Sequence, residues 1–180
     1  MKKHILGFCL SAIAISGYSQ TFNAGIRIQK TQEMYWENGV SAQYSFKNLK
    51  PNQLFFGFDY VTTRLGSAIG SNAMKQDNFI FSGSWAFRKD KAFHPVARLN
   101  MGYFYADYEE EIFSSLPNTA FLCAPEFVLN YEIPNLPLSV NLGTGYYVGF
   151  TSEANSPGTL QPLYYHLDVH YTIFKNKDHE

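Results

Sequence analysis

The sequence predicts an all-β protein, an eight-stranded antiparallel up-and-down transmembrane β-barrel. Three observations carry that expectation. Apolar and polar residues alternate at eight places between Thr21 and Phe174, the period of an extended strand with two unlike faces. The intervening stretches alternate in length: longer around 31–38, 64–77, 107–119 and 151–162, shorter around 48–52, 89–94 and 132–137. A barrel with long outer loops and short periplasmic turns has this rhythm, and a soluble meander has no reason to adopt it. Finally, the charged residues at the strand centres, Arg27, Asp59, Arg98, Glu126 and Asp168, all fall on the polar parity. That asymmetry suits an apolar face turned to hydrocarbon, where a midplane Arg or Lys costs ~2–4 kcal/mol.

Taken in order, the first strand (about 21–30) sets Phe22, Ala24, Ile26 and Ile28 against Asn23, Gly25, Arg27 and Gln29. The second (39–47) opposes Val40, Ala42, Tyr44 and Phe46 to Ser41, Gln43, Ser45 and Lys47. The third (53–63) opposes Leu54, Phe56, Phe58 and Tyr60 to Phe55, Gly57, Asp59 and Val61, the least polar inward set of the series. In the fourth (78–88), Phe79, Phe81, Trp85 and Phe87 alternate with Ile80, Ser82, Ser84 and Ala86. In the fifth (95–106), Ala97, Leu99, Met101, Tyr103 and Tyr105 alternate with Arg98, Asn100, Gly102 and Phe104.

The sixth strand (120–131) sets Phe121, Cys123, Phe127, Leu129 and Tyr131 opposite Ala124, Glu126, Val128 and Asn130. Pro125 falls on its apolar face and has no N–H for the ladder, so imperfect pairing is expected there. The seventh (138–150) separates Leu138, Val140, Leu142, Tyr146, Val148 and Phe150 from a face of Ser139, Asn141, Gly143, Gly145, Tyr147 and Gly149. The glycines read as space for bulky inward neighbours. In the eighth (163–174), Leu163, Tyr165, Leu167, Val169, Tyr171 and Ile173 form one face and Tyr164, His166, Asp168, His170 and Thr172 the other.

Composition agrees with this architecture. Among the 180 residues aromatics reach 17% and charged residues only 16%, where about a quarter charged is usual in soluble domains. A net charge of −1 gives no electrostatic case for nucleic acid. Residues 1–19 read as a secretory signal: Lys2 and Lys3, an apolar run from Ile5 to Ile15, then Gly17 and Ser19 before a mature start at Gln20. That run is too short for a membrane-spanning helix. With Cys9 in the leader, Cys123 is the only mature thiol and no intramolecular disulfide is expected.

Aromatics on the apolar parity gather toward strand ends. Tyr60, Tyr103, Tyr105, Tyr146 and Tyr165 fall near the outer rim, Phe46, Phe87, Tyr131 and Tyr171 near the inner one, and Leu99, Leu142, Leu167 and Val169 between them. Two such girdles anchor a barrel at both lipid–water interfaces. With its leader, its eight alternating strands and its aromatic-rich last strand, the mature chain resembles the small outer-membrane barrels typified by the OmpA transmembrane domain, OmpX and OmpW. The resemblance implies residence in the outer membrane of a Gram-negative cell envelope, contact with lipid, and insertion by the barrel-assembly machinery. Those chains often end on an aromatic, whereas here Phe174 precedes a polar tail from Lys175 to Glu180.

An eight-stranded barrel is just wide enough for side chains to fill, and buried charges demand partners. The inward polar set is therefore expected to form one lumen network of Arg27, Asp59, Arg98, Glu126, His166, Asp168 and His170. Within it Arg98 should pair with Glu126, and Arg27 with Asp168 where the first and last strands close. His166, Asp168 and His170 are competent metal ligands, but side chains about 6–7 Å apart along a strand are expected to splay, so no metal or other cofactor is expected. No catalytic residues are assigned: His166 is the only mature histidine expected near the outer rim, with His94 in a turn, His179 in the tail, and Ser152 and Ser156 in a flanking loop. The leading functional reading is a non-enzymatic outer-membrane barrel with a plugged polar lumen and a structural or surface-binding role through its outer loops, its ligand or envelope partner unnamed by the sequence. A narrow porin-like channel for ions or a small solute is the alternative. A secreted soluble calycin-like barrel binding an apolar ligand would need every parity reversed.

Overall fold

The computed structural model describes residues 21–31, 36–45, 53–66, 72–108, 118–150 and 163–175. The expected leader 1–19, Gln20, Phe46, Ser152, Ser156, His179 and the tail beyond Lys175 lie outside them. Among the described residues nine strands run β1 (Thr21–Thr31), β2 (Trp36–Ser45), β3 (Gln53–Gly66), β4 (Asn72–Ala86), β5 (Phe93–Tyr108), β6 (Thr119–Glu132), β7 (Leu138–Tyr146), β8 (Val148–Phe150) and β9 (Leu163–Lys175). Every pairing is antiparallel. From β1 to β7 each strand pairs with its chain neighbour, β8 lies with β7 on β6, and β9 joins β7 to β1, closing the circle. Since β7 and β8 are two halves of one stave, this is a closed eight-stranded barrel.

Opposed residues trace a tilted path around the wall. The path from Asn130 through Asn141, Asp168, Arg27, Gly39, Val61, Asn78 and Phe104 returns to β6 at Ala120, ten residues from its start. Stagger of this kind accompanies the strand tilt that closure of a small barrel requires.

The two parities separate as side chains inside and out. Leu99 and Leu142 are 46% and 58% exposed, whereas their polar-parity neighbours Arg98 and Glu126 are 5% and 6% exposed. The soluble calycin-like reading, which needs the apolar parity inside, is thereby overturned. On the β3–β4 side the apolar wall is aromatic through its centre, with Phe58 opposite Phe81 at 5.1 Å between ring centroids. Aliphatic residues dominate the corresponding wall of β1, β7 and β9.

Four details differ from the sequence expectation. β2 begins at Trp36, three residues early. The expected loop 64–77 is largely strand, since β3 runs to Gly66 and β4 starts at Asn72. Tyr60 OH, Thr62 Oγ1 and Arg64 Nη2 all donate to Asp77 Oδ1, at 2.8, 2.7 and 2.9 Å, stitching that extension together on its outer wall. His94 is the second residue of β5 and is buried, not part of a turn. The seventh strand is interrupted at Tyr147: β6 pairs with β7 up to Glu126–Gly145 and with β8 from Cys123–Val148 onward in unbroken register. Pro125, which cannot donate, stands at the gap opposite Tyr146.

Candidate functional site

The inward parity builds one polar cluster across the middle of the lumen. Arg27 on β1 is its hub. Its Nη1 is 3.1 Å from Asp59 Oδ2, its Nη2 is 3.0 Å from Glu126 Oε1, and its Nε is 3.9 Å from Asp168 Oδ1. Gln29 Oε1 accepts from both Nε and Nη2. Arg98 is the second cation, with Nη1 3.4 Å from Glu126 Oε2 and 3.7 Å from Asp168 Oδ2, while its Nε donates to Ser84 Oγ at 3.0 Å. Arg98 and Glu126 are directly opposed on β5 and β6, as Arg27 and Asp168 are on β1 and β9. Charges so buried persist only when paired and hydrogen-bonded.

The three ligand-type residues of β9 part company. His166 does not splay from Asp168, as strand spacing suggests: its Nδ1 lies 3.0 Å from Asp168 Oδ1, and its Nε2 sits against Glu126. Two side chains on one face of a strand can lean toward each other when a third group across the lumen draws them in. His170 points to a different group, with Asn141 Nδ2 donating to its Nδ1 at 2.8 Å. The remaining nitrogen then carries the ring proton and donates to Ser41 Oγ at 2.9 Å. Among the described residues, no three His, Cys, Asp or Glu side chains are grouped to hold a metal ion.

Several members of the cluster are, in the sequence, only neutral inward positions. Asn100 Nδ2 donates to Glu126 Oε2 at 3.0 Å and to Tyr164 OH at 3.2 Å. Toward the outer end Gln29 bridges Glu37 to Tyr147 OH, and Thr63 Oγ1 donates to Glu37 at 2.7 Å. Glu37 falls in a stretch that reads as loop, which hides it. Tyr147 and Tyr164 stack with centroids 4.3 Å apart and join Phe104, Ala106, Ala120, Leu122 and Ala124 in an apolar inner cluster.

Glycines make that stacking possible. A Cβ on Gly145 would overlap the Tyr164 phenol, and one on Gly143 the His166 ring. β7 thus leaves the volume into which β9, its hydrogen-bonded neighbour, places the rings of Tyr164 and His166.

The outward aromatics sit as the parity demands. Phe87, Tyr103, Tyr105, Tyr131, Tyr146, Tyr165 and Tyr171 are exposed on the barrel wall. Tyr60 is half-buried, its ring 5.3 Å from Phe79 and its hydroxyl on Asp77.

No protein-family model and no curated protein matches the sequence. Solved structures do. The attachment invasion locus protein Ail of Yersinia pestis superposes with a TM-score of 0.53 at 12% identity, over 87% of this chain and 99% of Ail. Ail in a phospholipid bilayer nanodisc gives 0.52 at 10% identity, over 86% and 99%. Neisserial surface protein A gives 0.51 at 12% identity, over 87% and 97%. The chain has the fold of a small bacterial outer-membrane β-barrel. At such identities the likeness is one of fold.

Proposed function

We propose that this chain resides in the outer membrane as a non-enzymatic barrel whose lumen is plugged, serving a structural or surface-binding role through its outer loops. The observation that carries the reading is the central cluster: Arg27, Asp59, Glu126, His166 and Asp168 meet across the bore with their side chains essentially sealed from solvent. The apolar cluster around Tyr147 and Tyr164 lies on its outer side. Export by a leader at 1–19, insertion by the barrel-assembly machinery and anchoring by the aromatic girdles belong to the same proposal. The exposed wall of Ile26, Leu142, Phe81 and Phe127 supports a lipid environment, since an apolar surface of that extent is not tolerated in water. The likeness to Ail and Neisserial surface protein A supports a barrel that presents its loops at the cell surface.

Planar-bilayer recording on the purified barrel tests the plug. No stable openings are expected, and discrete conductance steps would replace this reading with that of a narrow channel. N-terminal sequencing of membrane-extracted protein should begin at Gln20, and its retention in the membrane fraction after a carbonate wash tests the location.

A further inference from the structure

The lumen is filled unequally along its length. On the turn side of the charge cluster lies a cavity of about 20 Å³, lined among others by Asn23, Gln43, Ser84, Arg98, Asn130 and Asn141. A space of that size takes one or two water molecules and excludes larger solutes. Its wall is largely polar, with Phe55 and Val96 as apolar members, and is incompletely paired: Asn23 Oδ1 and Asn130 Oδ1 have no hydrogen-bond partner among the protein atoms. Two open acceptors beside one small space are what bridging water satisfies.

The cavity also has a mouth. Lys89, in the turn between β4 and β5, folds beneath the barrel with its ammonium 5.7 Å from the Phe55 ring and pairs with Glu132. Both line the cavity and both keep side-chain surface in solvent. Despite that pairing, burial, with repulsion from Lys175 added, pushes the Lys89 ammonium down to about 8. Going inward from this pair, Ser139 and Gln43 are half-buried, and Ser84, Arg98 and Asn141 are buried. Along this line of residues exposure falls from the Lys89–Glu132 pair to Arg98, while His94, Val96 and Phe55 beside it are buried.

We propose that the turn-end part of the lumen is a hydrated half-channel that admits water from the periplasmic side and ends at Arg98. Its outer stop is the Arg27–Glu126 pairing, backed by the Tyr147–Tyr164 stack. The inference rests on the plugged-lumen reading and adds to it: the plug occupies the centre and outer part of the bore, and only one of the two lumen arginines meets water. A further consequence is that Arg98, and not Arg27, is the first lumen arginine that water entering from the periplasm would encounter.

Exchange of the two arginine Nε protons with water, followed by NMR on the folded full-length mature barrel in micelles, distinguishes them. The Arg98 proton, although it donates to Ser84, is expected to exchange at least about tenfold faster than that of Arg27, whose guanidinium is itself part of the stop. In Ser139→Leu, which narrows the route near its half-buried mouth, the Arg98 rate should fall while the Arg27 rate stays fixed. Equal, slow exchange at both arginines would overturn the half-channel, as would a Ser139→Leu barrel with an unchanged Arg98 rate. Conductance of the wild-type barrel reports separately on the plug. A silent barrel with two slowly exchanging arginines removes the half-channel alone, whereas a conducting one removes the plug and with it the dead end at Arg98.

Discussion

Arg27 and Glu126 are 99 residues apart in the chain and 3.0 Å apart across the lumen. No strand pairing brings them together, since β1 bonds to β2 and β9 while β6 bonds to β5, β7 and β8. Their contact depends on closure of the barrel and cross-links its two sides.

Removing the hub charge should therefore cost far more than removing a peripheral one. Arg27→Met leaves Asp59 and Glu126 without their closest cation, and breaking a buried pair by deleting one partner costs about 3–5 kcal/mol. Arg98→Met should cost less, because Arg98 stands farther from its carboxylates, at 3.4 and 3.7 Å. Urea unfolding of the refolded barrels in lipid vesicles ranks the two. A loss at Arg98 equal to or above that at Arg27 would contradict the assignment of the hub.

The glycines of β7 provide a steric test. Gly145→Ala should lower stability by about 1–3 kcal/mol, the usual cost of overpacking a filled interior, because its methyl meets the Tyr164 ring. Tyr164→Ala is destabilising by itself, but in that background Gly145→Ala should be nearly neutral. A double-mutant cycle measures the coupling, and additive losses would show that the glycine is needed for some other reason.

Much of this arrangement is legible in the residues, and the rest is hidden for physical reasons. Period-two alternation locates the staves because hydrocarbon outside and a polar lumen inside impose opposite demands on adjacent residues. That signal fades once a strand leaves the apolar layer. At Arg64, Lys75 and Asp77 the outward positions are charged although the ladder continues through Arg64–Lys75 and Thr62–Asp77, so 64–77 reads as loop. Glu37 escapes notice for the same reason, in a stretch that reads as loop but begins β2. Registry between neighbouring strands is also readable, as for Arg98 opposite Glu126. Contacts across the bore, such as Arg27 with Glu126 or His166 with Glu126, depend on tilt and stagger that no local pattern encodes.

The lipid-facing parity can be probed directly. Leu142 lies exposed toward the middle of β7 and Tyr146 ends that strand near the outer rim. Leu142→Arg should cost about 2–4 kcal/mol and Tyr146→Arg about 0–1 kcal/mol, following the depth dependence of a cation on a barrel's lipid face. Refolding into vesicles and unfolding in urea gives both values, and a Leu142→Arg barrel as stable as wild type would place that wall outside hydrocarbon.

The break between β7 and β8 has two candidate causes in the structure, and one substitution separates them. Pro125 offers no N–H at the position opposite Tyr146, while Tyr147 turns its ring inward to stack on Tyr164 and to accept from Gln29 at 3.0 Å. If the missing donor is the cause, Pro125→Ala restores it, and the backbone amide gained at position 125 should be protected from hydrogen exchange like its neighbours in β6. Stability should then rise by about 0.5–1.5 kcal/mol, the net worth of one added hydrogen bond. Free exchange of that amide would assign the break to Tyr147. In that case Tyr147→Ala, which gives up the stacking and the Gln29 bond, should let the ladder run from Leu138 to Phe150 without interruption.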